Sequence, residues 1–498
     1  MFRPWSALLV TGLFLLPFAA FAKQPARLQW VDCWFEPVWG RELRCAHFFP
    51  SRVEHEPETR LPVVRIRASK AVRQSSPLLY LPGGPGLPAG LDDAGLQRWL
   101  NWMDIARWPH DLVLFDPRGT GLSVPRRDCP EIRARDQANL MRPLSASDDL
   151  RNMQQTAEAC FNRLHEAGFR PEDYSGPRQV RDVVELMQVM DSKKWNLYGI
   201  SYGSRLALQV LRQVPDRIRS LVLDSVYPPE VNGLLSRPAQ FARARDGLLD
   251  ACAADAHCQE TYPVLARQLN SLFRQLSRKP QVLRVEHWPT DRVTSFLLND
   301  YRLMWVLFME SYAPRYRPRL IPAIAAASSE DFRLWPPIAG DFLDQWLDPE
   351  FSHAVYLSVT CAEDFAVLTE ASYRAEAERN PQVAAYVTDE WRLSPCHRWP
   401  VGALPQAYHE PVVSDVPALF LSGVHDAATL PEWSRTAAGR FSRGYAMSFE
   451  GSSHGVTWEN ACAMATAWEF LRNPGDWQFP PCLSEREKRD AIRPVAGG

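Results

Sequence analysis

From Pro77 onward, short apolar runs recur along the chain, each closing on turn residues: PLLYLPGGPG, DLVLFDPRGTG, WNLYGISYG, RSLVLDSVYPP and PALFLSGVHD. Helically spaced apolar residues follow, as in SRLALQVLRQV after LYGISYG. Runs apolar throughout suit strands covered on both faces, and their alternation with helices predicts a mostly parallel sheet in an α/β protein. Functional groups in such sheets gather at the carboxyl ends of the strands. Residues 28–70 have a different texture. LQWVDCWF and LPVVRIRA alternate apolar with polar, which predicts antiparallel strands at the sheet's edge. The strand–turn–helix rhythm stops near Pro229 and resumes near Val416. Residues 230–405, with runs such as GLLDACAA and PVLARQLNSLFRQLSR, read as mostly helical without a strand–glycine pattern. The pattern predicts a helical cap inserted between two parts of one α/β domain, 23–229 and 406–498, because no Gly/Ser-rich joint sets it apart.

Composition changes this picture little. Hydrophobic residues make up 46% and charged residues 23%, and the formal net charge is −2. No run of one sign invites nucleic acid, and Pro-Arg-Arg-Asp around Arg126 reads as solvated surface. The first 22 residues carry more information. Arg3, an apolar stretch from Ala7 to Phe18 and the ending Ala20-Phe21-Ala22 predict an export signal cut before Lys23, too short for a membrane anchor. A protein so exported would be periplasmic or extracellular, with no membrane attachment after cleavage. Its ten cysteines would then form disulfides, and sequential pairing is the simplest arrangement: Cys33–Cys45, Cys129–Cys160, Cys252–Cys258, Cys361–Cys396 and Cys462–Cys482. No C-x-x-C or Cys/His spacing suggests zinc, and no metal or other cofactor is expected.

Serine hydrolysis needs a nucleophile, a base to take its proton and an acid to orient the base. Ser201 stands in G-x-S-x-G between a strand (Trp195 to Tyr198, stopping at Gly199) and a helix expected after Gly203. Flanking glycines permit a sharp turn that exposes the hydroxyl, whereas a helix-capping serine would not need both. Asp426 follows the later strand PALFLSG as the candidate acid, against the ordinary reading of a turn aspartate. His425 beside it points the other way. His454, between Ser453 and Gly455 after GYAMSF, is the candidate base. The order Ser…Asp…His is that of α/β-hydrolases. The oxyanion would be held by the amide of Tyr202 and by one from the loop LPGGPG, Gly84 first and Gly83 next; a plain Pro-Gly turn is the alternative there.

With these residues in place, the chain resembles the prolyl aminopeptidase and tripeptidyl aminopeptidase group of secreted α/β-hydrolases. The likeness rests on LPGGPG, FDPRGTGLS (115–123), WNLYGISYGSRLAL (195–208), LSGVHD and GSSHG. It departs at Pro82, where many relatives have histidine, and in the Leu-Pro-Ala after GGPG. The resemblance implies an eight-stranded hydrolase fold with a helical cap. It gives Asp116 and Arg118 bracing roles and makes the late region similar to the tripeptidyl type. It also implies a serine peptidase acting near free peptide N-termini through an acyl-enzyme. An esterase with the same machinery is the alternative, and a non-catalytic binding protein a more distant one. An aminopeptidase cap needs an anion for the substrate ammonium. Glu363 is the first candidate, beside Cys361, followed by Asp364 and Glu310; for each, a surface carboxylate or helix cap is the competing reading.

Overall fold

The computed structural model describes residues 23–36, 42–53, 58–68, 74–106, 108–190, 192–287, 292–312 and 317–491; the expected export segment, 1–22, lies outside them. The main sheet is built from Arg27–Val31 (β1), Leu43–Phe49 (β2), Leu61–Ile66 (β3), Gln74–Leu81 (β4), His110–Phe115 (β5), Trp195–Ile200 (β6), Ile218–Asp224 (β7), Ala418–Gly423 (β8) and Gly444–Phe449 (β9). Its order is β9-β8-β7-β6-β4-β5-β3-β2-β1. Strands β4 to β9 run parallel, and β3, β2 and β1 continue the sheet antiparallel at one edge.

Burial explains both textures of the sequence. Every residue of β5, β6 and β8 is buried, because helices cover both faces. Leu79, Leu81 and Leu197 pack under the helices Gly176–Val189 and Tyr202–Gln213. Their neighbours Leu78, Tyr80 and Tyr198 pack on the other face, against Asp93–Ala106 and Ala461–Arg472. Period-two alternation is thus present but hidden, since both faces are apolar. Strand β1 alternates openly because it forms the edge, and Trp30 there is 39% exposed.

Four expectations need correction. The sheet has nine strands rather than eight, the extra one being β1, paired to β2 and tied to it by the Cys33–Cys45 disulfide. Strand β6 runs through Gly199 to Ile200, and the next helix starts at Tyr202, so the turn is tighter than expected. The segment between β7 and β8 contains, beside its helices, an antiparallel hairpin of Gln281–His287 and Arg292–Leu298. Its alternating QVLRVEH is the ordinary signal of a half-buried strand, overlooked among helical runs. Arg127 is buried rather than solvated, donating to the Tyr174 hydroxyl at 2.7 Å.

The segment between β7 and β8 packs around a further apolar core, drawn largely from Arg237–Ala254, Leu265–Arg278, Asp300–Glu310 and Trp335–Trp346 and joined by Ala427 and Ala428 after β8. The ten cysteines form five disulfides in the sequential pairing. Among the described residues, no helix is long and apolar enough to cross a membrane.

Candidate active site

Ser201 occupies the one-residue corner between β6 and the helix Tyr202–Gln213, at φ +56° and ψ −123°. An L-residue pays of order 1–3 kcal/mol for such a conformation, so the surroundings must impose it. They do so by close approach. A Cβ on Gly199 would lie 2.3 Å from the Gly203 carbonyl oxygen, and one on Gly203 would lie 2.0 Å from that of Leu81. Both glycines are steric necessities. The corner is pinned further: Ser201 N–H donates to the Asp224 carbonyl (3.0 Å), and the Ser204 hydroxyl donates to the Ser201 carbonyl (2.6 Å).

His454 and Asp426 arrive on the loops after β9 and β8. His454 Nδ1 lies 2.9 Å from Asp426 Oδ2. Asp426 is fully buried, and its other contacts fix it. Oδ1 accepts from the amides of Ala428 (2.8 Å) and Thr429 (2.9 Å), and Oδ2 from the Thr429 hydroxyl (2.6 Å). Burial pushes the Asp426 pKa up, but the charge and hydrogen bond of His454, with the hydrogen bonds of Thr429, hold it below the usual value. For His454 the signs reverse. Burial favours the neutral ring, yet the Asp426 carboxylate, by charge and hydrogen bond, and then Asp224 raise its pKa above 6.5.

The role of Asp224 had no sequence signal, since the residue ends the ordinary-looking strand RSLVLD. Fully buried, it accepts from the amides of Val456 and Thr457 (both 2.9 Å) and from the Thr457 hydroxyl (2.7 Å), while Ser225 accepts the Gly455 amide. One residue therefore holds both the Ser201 corner, through its carbonyl, and the loop carrying His454, through its carboxylate.

Ser201 and His454 line one cavity of about 560 Å³ together with Gly83, Gly84 and Tyr202. Gly83 lies closer to the serine: a Cβ there would sit 3.1 Å from Ser201 Cβ. Gly84, at φ +105°, would drive a Cβ to 2.7 Å from the Gly86 nitrogen. Asp116 and Arg118 brace the neighbouring loops. Asp116 accepts from the amides of Ala89 and Leu122 (both 2.9 Å), and Arg118 forms a two-point pair with Asp182.

The acidic candidates fall in two places. Glu363 and Asp364 border the cavity, but Arg205 bridges them at 3.0 and 3.3 Å. Tyr202 and Tyr408 donate to Glu363, and Tyr227 donates to Asp364. Glu310 is buried beside Arg243 and His425 in a separate small cavity. Among the described residues, the grouping spaced for a metal is Cys129, Glu131 and Cys160, but the two sulfurs are joined in a disulfide and offer no thiolate.

A strand-end serine at a glycine-flanked corner, with an Asp–His pair on two later strand ends, defines a class. The chain belongs to the alpha/beta hydrolase fold family, whose profile matches residues 76–461. It is similar to the tripeptidyl aminopeptidase of Streptomyces lividans, 26% identical over 467 residues that cover 88% of this chain and 83% of that protein. It also resembles serine protease Hip1 of Mycobacterium tuberculosis, at 24% identity over 77% of this chain and 75% of that protein. A shorter match, 27% over 40% of this chain and 39% of the other, is to carboxylesterase B of Mycobacterium tuberculosis.

Proposed function

We propose that this chain is an exported serine peptidase that cleaves peptide bonds near a free N-terminus. The observation that carries the proposal is the pair of buried Asp426 and partly exposed His454, the latter on the same cavity as a serine held in a strained corner. Ser201 Oγ attacks the scissile carbonyl while His454 Nε2 takes its proton; His454 Nδ1–H keeps donating to Asp426, whose carboxylate offsets the imidazolium charge. The amides of Tyr202 and of Gly83 or Gly84 hold the oxyanion. His454 then protonates the leaving amine, and water, activated by the same ring, releases the acyl group. Two long relatives that are a tripeptidyl aminopeptidase and a serine protease support peptide as the substrate class. Export is supported by the pattern of residues 1–22 and by five disulfides. Hydrolysis of carboxylic esters is the second reading, favoured by the carboxylesterase match.

A fluorophosphonate probe should label the protein covalently, and Ser201→Ala should abolish labelling. Rates on tripeptidyl anilides with free and acetylated amino termini decide the rest. A preference for the acetylated substrate, or turnover of esters alone, refutes the aminopeptidase reading.

A further inference from the structure

The cavity around Ser201 has a neighbour. A chamber of about 140 Å³ adjoins it, and the two share a wall that includes Arg237, Trp305, Trp346 and Tyr356. Beyond that wall the lining is mostly apolar and aromatic, with Phe365, Leu368 and Trp391, and Glu390 stands among them. Arg237 faces both spaces.

Accessibility separates the carboxylates here. The side chain of Glu363 is 0% exposed and that of Asp364 8%, and every one of their four oxygens already accepts a hydrogen bond from Arg205 or a tyrosine. Glu390 is 19% exposed and Arg237 16%. Their mutual contact is long, 3.5 Å from Arg237 Nε to Glu390 Oε1, and that nitrogen makes no hydrogen bond. The remaining oxygen, Oε2, is fixed by the Tyr373 hydroxyl at 2.6 Å. Glu390 is thus an oriented carboxylate with one oxygen open to another donor, in a chamber that shares lining residues with the cavity of the nucleophile. Arg237 is a cation whose charge is offset at a distance and which lines both cavities.

We propose that the chamber receives the N-terminal residue of the substrate, that Glu390 binds its α-ammonium, and that Arg237 donates to the backbone carbonyl following it. The proposal rests on the aminopeptidase reading above. An ammonium carries three donors and no acceptor, which suits a half-satisfied carboxylate ringed by aromatic faces. A guanidinium on the approach suits a carbonyl oxygen. The substrate class is a peptide with a free amino terminus and an apolar first side chain, packed against Phe365, Leu368 and Trp391. Where the ammonium is held also sets how many residues lie between it and the bond that Ser201 attacks, at about 3.3–3.6 Å for each extended residue.

The test compares the wild type with Glu390→Gln and with Leu368→Trp, which fills the chamber without touching a charge. Each is assayed on a tripeptidyl anilide with a free amino terminus, on its N-acetyl form, and on p-nitrophenyl butyrate. Rates on the butyrate report the fraction of folded, competent enzyme and normalise the others. In Glu390→Gln the normalised kcat/KM on the free tripeptide should fall about 10- to 100-fold, chiefly through KM, which removes the preference over the acetylated form. Leu368→Trp should lower the same ratio. A wild type that prefers the free amine, with Glu390→Gln keeping that preference, overturns the assignment of Glu390 and leaves the aminopeptidase reading intact. A wild type with no such preference overturns the reading itself.

Discussion

The carboxyl edge of the sheet and the segment between β7 and β8 meet across one cavity, yet they are built in different ways. At the sheet edge, Ser201, Asp426 and His454 each follow a strand end, and backbone groups fix their positions: the Asp224 carbonyl, the amides of Ala428 and Thr429, and the amides of Val456 and Thr457 on Asp224. The inserted segment offers side chains on separate helices and loops. Arg237, Trp305, Tyr356 and Glu390 converge only because their helices and loops are packed together around two apolar clusters, one of them shared with Tyr202 and Tyr174. The first region places the proposed catalytic groups through main-chain geometry that few sequences can satisfy. The second shapes the space above them with side chains that can be exchanged singly. Substitutions at the edge should therefore strike every substrate alike, whereas those in the insertion should discriminate among substrates.

The sharpest form of that contrast is Ser201→Ala, for which kcat should fall roughly 10⁴- to 10⁶-fold on peptides and esters together while the fold persists. Alanine keeps the Cβ and with it the strain of the corner, so the variant should be about as stable as the wild type, which urea titration checks. Residual turnover within tenfold of wild type would place the nucleophile elsewhere. Next comes Gly203→Ala. Its methyl group would stand 2.0 Å from the Leu81 carbonyl, backbone against backbone, so the helix must move off β4. A loss of roughly 3–5 kcal/mol is expected, seen as a lowered urea midpoint or as failure to fold. Wild-type stability would show that the corner is not set by this contact.

The same physics explains what could be seen in advance. Gly199, Ser201 and Gly203 are legible because a strained corner admits few residues, and the later aspartate and histidine because each follows an apolar run. Edge strands and the parallel sheet were legible for the same reason, periodicity. Asp224 was not: its function depends on a loop more than 200 residues away, and its own strand carries no trace of that loop. The arms of Arg205 and the Arg237–Glu390 pair were equally hidden, since each depends on how helices from distant parts of the chain are packed. The hairpin at 281–298 was missed although its alternation is visible, because the surrounding helical runs dominated.

Asp224→Asn tests whether a residue of this hidden kind acts on the chemistry. The new amide nitrogen would oppose donors that now find a carboxylate oxygen, loosening the loop of His454. Rates should fall about 10- to 100-fold, through kcat and equally for peptide and ester, unlike any change at Glu390. The pH profile adds a reading that simple instability would not give. His454 must be neutral to accept a proton, so activity rises with pH through its pKa, which in the wild type lies above 6.5. Burial and Asp426 act on that ring as before in the variant, but the contribution of Asp224 is gone. The acid limb should therefore move to lower pH. An unmoved limb with reduced rates would reduce Asp224 to a structural clamp.

The smallest effect is expected in the inserted segment, and its sign is opposite. Gly247 lies inside the helix Arg237–Ala254, with no neighbour closer to a new Cβ than the flexible Arg243 side chain at 3.8 Å. Unlike Gly203, it meets no backbone, so its backbone freedom is a cost to folding with no steric return. Gly247→Ala should raise stability by about 0.5–1 kcal/mol through the lower entropy of the unfolded chain and better helix propensity. Activity should stay at wild-type level, because Gly247 borders the small cavity of Glu310 and His425 rather than that of Ser201. A shift of the urea midpoint to higher concentration at unchanged slope is the expected record. A destabilised variant would mean that the insertion is held by backbone fit as strict as that of the sheet edge, and the contrast between the two regions would collapse.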